Sequence, residues 1–153
     1  MRQINEYLST KVAQTKIKAT DETIRQIVKD ELDRLGHDAD LNHIDVSEVI
    51  DMNSLFSCII SDLGGKYKDL NPDISKWDVS NVEDMSFMFY SCENFNCDIS
   101  GWNVSNVKHM NHTFEGCRKF NQDLSRWDVR NIKNNYLMFY GCPIKKEFKP
   151  KFD

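Results

Sequence analysis

Alanine is nearly missing from this 153-residue chain: Ala13, Ala19 and Ala39 stand against 14 asparagines. Ala favours helix interiors and Asn favours turns and caps, so a helical bundle is excluded and a turn-rich architecture is expected. Long apolar runs are missing too. None approaches the ~18–20 residues that a spanning helix needs, and the opening MRQINEYLSTKV lacks the apolar core of a secretory signal, so the expected location is the cytoplasm, with no membrane partner. There is no excess of positive charge either. Twenty Lys and Arg against 24 Asp and Glu give a net charge of −4, which offers no footprint for nucleic acid. G-x-S-x-G, G-x-x-x-x-G-K-[ST], H-E-x-x-H and D-x-D-x-D-G are all absent, so neither enzymatic activity nor a cofactor is expected. The five cysteines (Cys58, Cys92, Cys97, Cys117, Cys142) are odd in number, cannot all pair, and are read as thiols.

What the chain does contain is a repeat. Tryptophan falls at 77, 102 and 127, and its surroundings recur with it: Asp73-Ile-Ser-Lys-Trp-Asp-Val-Ser-Asn-Val82, Asp98-Ile-Ser-Gly-Trp-Asn-Val-Ser-Asn-Val107 and Asp123-Leu-Ser-Arg-Trp-Asp-Val-Arg-Asn-Ile132. The register continues through Phe89/Phe114/Phe139 and Cys92/Cys117/Cys142. An earlier, degenerate copy, Ile44-Asp-Val-Ser-Glu-Val-Ile-Asp-Met52 with Phe56, lies 33 residues before the first, its extra residues forming a loop around Ser61–Lys68. A fixed period of this size predicts a solenoid, in which each unit buries its apolar side by stacking on its neighbours. Ile74, Trp77, Val79 and Val82 fit leucine-rich-repeat spacing, with a short strand over about Lys76–Ser80. Met85, Met88, Phe89 and Cys92, three and four residues apart, suit a helical or 3₁₀ return.

The expected fold is therefore an α/β repeat, a short leucine-rich-repeat-like solenoid of about four coils (about 40–72, 73–97, 98–122 and 123–142) with an N-terminal helical cap over 1–39 and a basic tail over 143–153, in one structural domain. Residues 21–35 carry Ile24, Ile27, Val28, Leu32 and Leu35 on one face, with Glu31 outside it, and stop at Gly36; this predicts an amphipathic capping helix. Residues 1–18 offer a weaker helix (Ile4, Tyr7, Leu8) and an alternating Lys16-Ile17-Lys18. In the tail, lysines and Pro150 discourage a further strand from adding to the edge.

The pattern D-I-S-x-W-D-V-S-N-V-x-x-M-x-x-M-F-x-x-C-x-x-F-N, over roughly residues 40–142, is similar to the 25-residue repeat of BspA-type leucine-rich repeat proteins, abundant also in mycoplasma lipoproteins. The resemblance implies a right-handed solenoid and, from the known members, roles in adhesion or host contact. The N-terminal portion and Asp40-Leu-Asn-His-Ile-Asp-Val-Ser47 look like the leading segment of small repeat proteins of gut bacteria and their phages or mobile elements. That implies one specific role, an inhibitor of a host defence protein.

Several columns bear on chemistry. Trp77, Trp102 and Trp127, with Phe89, Phe114 and Phe139, repeat with the solenoid itself and are read as core. Cys92, Cys117 and Cys142 are read as one buried thiol per coil, with no metal-ligand spacing. His109 and His112 with Cys117 are the one alternative ligand set, for a small metal-binding protein. On a strand with Trp77 and Val79 inward, Lys76, Asp78 and Ser80 point outward. Beside them stand His43, Asp45 and Ser47, then Gly101, Asn103 and Ser105, then Arg126, Asp128 and Arg130: a polar face of mixed sign. On the return side, Phe87, Tyr90, Tyr136, Leu137 and Tyr140 occupy variable columns. The expected function is a non-enzymatic protein–protein interaction module using one of these faces, as a monomer or weak homo-oligomer.

Overall fold

The computed structural model describes residues 16–62, 66–67 and 69–152. The weak helix expected around Ile4, Tyr7 and Leu8, and residues 63–65 and 68 of the expected loop, lie outside that set. Strand β1, Ile17–Lys18, runs parallel to β2, Ile44–Asp45, with Ile17 opposite Ile44. Between them lies helix α1, Ile24–Leu35. It starts three residues later than the apolar pattern predicts, because residues 21–23 form a turn in which the Thr20 N–H reaches the Thr23 hydroxyl at 2.9 Å. It ends at Gly36, whose φ of 103° only glycine adopts readily and whose N–H bonds the Leu32 carbonyl.

The face of α1 differs from the sequence expectation at two positions. Leu35 is exposed, whereas Glu31 is buried. Glu31 accepts two hydrogen bonds from the Arg34 guanidinium and a third contact from His43 at 2.6 Å, so its carboxylate enters the interface already paired. The Arg34 hydrogen bond, opposed by burial and aided by His43, holds its pKa below the usual range.

Segments one repeat apart lie side by side. Parallel bridges join Asp51 to Asp84, Asp84 to His109 and His109 to Asn134. These fall on the return side; the strand expected over Lys76–Ser80 does not form. There the chain makes turns instead, Trp77 N–H to Ile74 O and Val82 N–H to Val79 O. The reason is local: the Asp73 carboxylate accepts from the Ser75 N–H and hydroxyl, and Asp78 does the same for Ser80, and such bonds compete with a strand ladder. Alternate burial survives, with Trp77 and Val79 buried and Lys76 and Asp78 exposed.

The return segments differ between repeats. In the first it is an α-helix, α2, Leu55–Asp62. In the second it is a run of tight turns, Met88 N–H to Met85 O, Tyr90 N–H to Phe87 O and Cys92 N–H to Phe89 O, where a helical or 3₁₀ return was expected. A 3₁₀ turn, Lys146–Phe148, follows the last repeat. Beside α2, Tyr67 is fully buried and its hydroxyl bonds Asp33 of α1, which ties the loop to the helix.

Phenylalanine rings stack through the centre: Phe56, Phe89, Phe114 and Phe139 have centroids 5.4, 5.4 and 5.5 Å apart. Each Trp indole N–H donates to a carbonyl of the repeat before it, Trp77 to Leu41, Trp102 to Ile74 and Trp127 to Ile99. Asparagine makes two further ladders. Asn81, Asn106 and Asn131 donate to the carbonyls of Ser47, Ser80 and Ser105, while Asn71, Asn96 and Asn121 accept from the N–H groups of Asn96, Asn121 and Lys145.

Candidate interaction surface

The polar columns are exposed or half-buried, Lys76, Asp78, Asn103, Arg126 and Arg130 in the first class and Ser80, Ser105 and Asp128 in the second. Their side chains are largely committed to the chain itself. The Asn103 side-chain oxygen accepts from the Ser105 N–H and hydroxyl, and Asp128 takes the Arg130 guanidinium at 2.9 and 2.7 Å. The Arg130 contact, then its N–H, holds the Asp128 carboxyl at about 2, and the Ser80 hydroxyl lowers that of Asp78. The acids of this face work as turn-forming acceptors, and Lys76 and Arg126 stand exposed beside them.

The return side is built differently. Alternate N–H groups of each segment point to the next repeat: Met85, Phe87, Phe89 and Ser91 donate to the carbonyls of His109, Asn111, Thr113 and Glu115 at 2.8–3.0 Å. Turns alternate with this ladder, and each repeat places a left-handed residue at the same point, Ser54 (φ 56°), Phe87 (57°), His112 (58°) and Leu137 (51°), followed four residues later in the last three by a second, Ser91 (58°), Gly116 (74°) and Gly141 (68°). Bulky residues rarely adopt that conformation, at a cost of roughly 1–2 kcal/mol each, and such positions concentrate where a surface is held for a purpose.

These strained residues carry an aromatic strip. The Phe87 ring stacks on His112 at 4.4 Å and meets Tyr90 edge-on at 5.8 Å, and His112 meets Tyr136 edge-on at 5.5 Å. His112 Nδ1 is held by Glu115. Tyr90, Tyr136 and Tyr140 are 40, 65 and 66% exposed, among the few large apolar side chains on the surface. The sequence places the three tyrosines on variable columns; the ring chain through Phe87 and His112 that joins Tyr90 to Tyr136 depends on the left-handed backbone, which no residue pattern announces.

The remaining candidates are dispersed. Cys92 and Cys117 are buried and Cys142 half-buried; the Cys117 thiol donates to the Phe89 carbonyl, and burial pushes the thiol pKa up in all three. Phe139 is half-buried, whereas Trp77, Trp102, Trp127, Phe89 and Phe114 are buried. His112 is engaged by Glu115 and two rings, His109 sits in the bridge column, and Cys117 lies in the core; among the described residues no three His, Cys, Asp or Glu side chains form a group fit for a metal ion. An open cleft of about 370 Å³ between Asp38, Asp73 and Asp98 has Cys97 in its wall, but burial raises that thiol too, away from the thiolate a nucleophile needs.

Two residues of the N-terminal segment act in a way that sequence reasoning missed. The Ile50 and Asp51 N–H groups both donate to the Asp21 carboxylate, as Lys108 and His109 both donate to the Glu83 carbonyl one repeat back. Arg25 donates to the Asn53 carbonyl, where a preceding repeat would offer an N–H. Asp21 and Arg25 thus stand in for a missing repeat. Asp21 has a sequence signal in the acidity just ahead of the helix, and Arg25 has none.

No helix among the described residues is long and apolar enough to cross a membrane. Neither a curated protein nor a solved structure matches the chain. The family model described as "Mycoplasma protein of unknown function, DUF285" matches residues 32–151, and the chain belongs to that family.

Proposed function

We propose that this protein is a non-enzymatic interaction module, a short right-handed solenoid of the BspA-type leucine-rich-repeat kind, which presents its return face to a protein partner in a reducing compartment such as the cytoplasm. The observation that carries the reading is the strip Tyr90–Phe87–His112–Tyr136, two of whose members sit on left-handed backbone. Exposed aromatics on a rigid support lose little conformational freedom on binding and are the side chains that dominate interface energetics. The polar face is the weaker choice because its acids already bond their own turns.

Affinity capture with mass spectrometry tests this when two variants are run beside the parent. Tyr136→Ala with Tyr140→Ala removes the most exposed rings and is expected to lose the partner. Lys76→Glu with Arg126→Glu alters the other face and is expected to keep it. Loss with the second pair and retention with the first overturns the choice of face.

A further inference from the structure

The ladder on the return side has a direction. Met110, His112, Phe114 and Gly116 donate to the carbonyls of Asn134, Tyr136, Met138 and Tyr140 at 2.8–2.9 Å. Their counterparts one repeat on are Asn135, Leu137, Phe139 and Gly141, and among the described residues no acceptor bonds these four N–H groups. The Lys133 carbonyl, counterpart of the Glu83 and Lys108 carbonyls that each accept two N–H groups, is likewise unused there. The tail passes elsewhere, with Phe148 O taking the Leu124 N–H and Lys145 N–H bonding Asn121. A bare row of donors is a template for another chain.

The charge around this edge specifies what would fit. In the column where Lys108 pairs with Glu83 across one repeat, Lys133 stands exposed at the open end. Past Gly141, Lys145 and Lys146 are exposed, and the Lys149 ammonium lies over the Phe139 ring of the edge segment at 5.5 Å.

We infer that the open edge at residues 133–141 binds an acidic polypeptide segment, which adds to the stack by giving two successive N–H groups to Lys133 O and alternate carbonyls to the N–H groups of Asn135, Leu137, Phe139 and Gly141. The inference rests on the interaction-module reading and supplies the chemistry of the partner. The chain contains a segment that already makes these contacts: residues 83–91 give two N–H groups to Ile50 O and the carbonyls of Asp84, Ser86 and Met88 to the N–H groups of Met52, Ser54 and Phe56.

The probe is therefore an acetylated, amidated peptide of residues 83–91, titrated into the full-length protein while backbone amides are followed by NMR. Saturable shifts at 135, 137, 139 and 141 are expected, and at least tenfold weaker binding when Glu83 and Asp84 of the peptide are replaced by lysine. Lys133→Glu is expected to weaken the parent peptide about fivefold while leaving amide dispersion unchanged. Three outcomes overturn the inference: no saturable shifts, equal affinity for the lysine peptide, or shifts confined to Tyr90, Phe87, His112 and Tyr136. The last leaves the return-face reading standing, and capture that is indifferent to Tyr136 and Tyr140 overturns that reading independently.

Discussion

At the N-terminal end, Asp21 and Arg25 give the first repeat the acceptor and donor that a preceding repeat would have supplied, and Ile24, Val28 and Leu32 of α1 are buried. At the C-terminal end the tail bonds Leu124 and Asn121, yet leaves four return-side N–H groups without an acceptor among the described residues. One end imitates a repeat with side chains; the other stops half-way. Backbone groups on an edge are satisfied by the chain, by water or by another molecule, so the two ends differ in how much of their return-side backbone the described chain itself satisfies.

The largest break in the comparison comes from the closed end. Leu32→Asp puts an unpaired charge into a fully buried site and is expected to cost about 3–5 kcal/mol, read by denaturant unfolding. The two terminal rings of the phenylalanine stack sharpen the contrast. Phe56→Ala, at a fully buried ring, should cost about 3–5 kcal/mol, whereas Phe139→Ala, at a half-buried one, should cost roughly half of that; equal losses would mean that the ends are equally closed. Asp21→Ala hands two exposed N–H groups to water and should lower stability by about 0.5–1.5 kcal/mol, with faster hydrogen exchange at Ile50 and Asp51.

The smallest effect is pH-dependent. The Glu31 pKa is lowered in the folded chain, first by Arg34, so its stabilising contribution is complete above its ordinary value of 4.5 and is lost as pH falls through the depressed folded value. Melting curves of the parent and of Glu31→Gln should therefore differ near neutral pH and converge in acid. A constant gap would remove the carboxylate's charge from the account of the closed end.

Much of this was legible. The Trp, Phe and Asp-x-Ser columns announced their spacing, and Ile24, Val28 and Leu32 announced a helix, because each signal recurs in the sequence at the interval at which it acts in space. The strand at Lys76–Ser80 was misread because alternation fixes burial without fixing hydrogen bonds; the Asp78–Ser80 turn satisfies the backbone first. Glu31 falls outside the apolar pattern yet is buried, because the contact with His43 that joins Arg34 in pairing it forms only once the helix packs. The return face depends on φ angles, and Phe87 and Leu137 are of types that do not suggest a left-handed position. Imitation of a repeat by Asp21 and Arg25 had no repeat of its own to reveal it.

The one-way ladder also has an electrical consequence. In an ordinary sheet successive peptide units point in opposite directions and their dipoles largely cancel. Here the units ending at Met85, Phe87, Phe89 and Ser91 all aim N–H toward the C-terminal end, while the intervening ones close local turns. These units contribute a moment directed toward the open edge, offset in part by the Lys108, His109, Lys133 and Asn134 N–H groups that point one repeat back, and Lys133 adds positive charge at that edge. For the acidic segment inferred above, the expectation is that the association rate, more than the lifetime once bound, carries the salt dependence, over a range set by the Debye length of about 8 Å at physiological ionic strength.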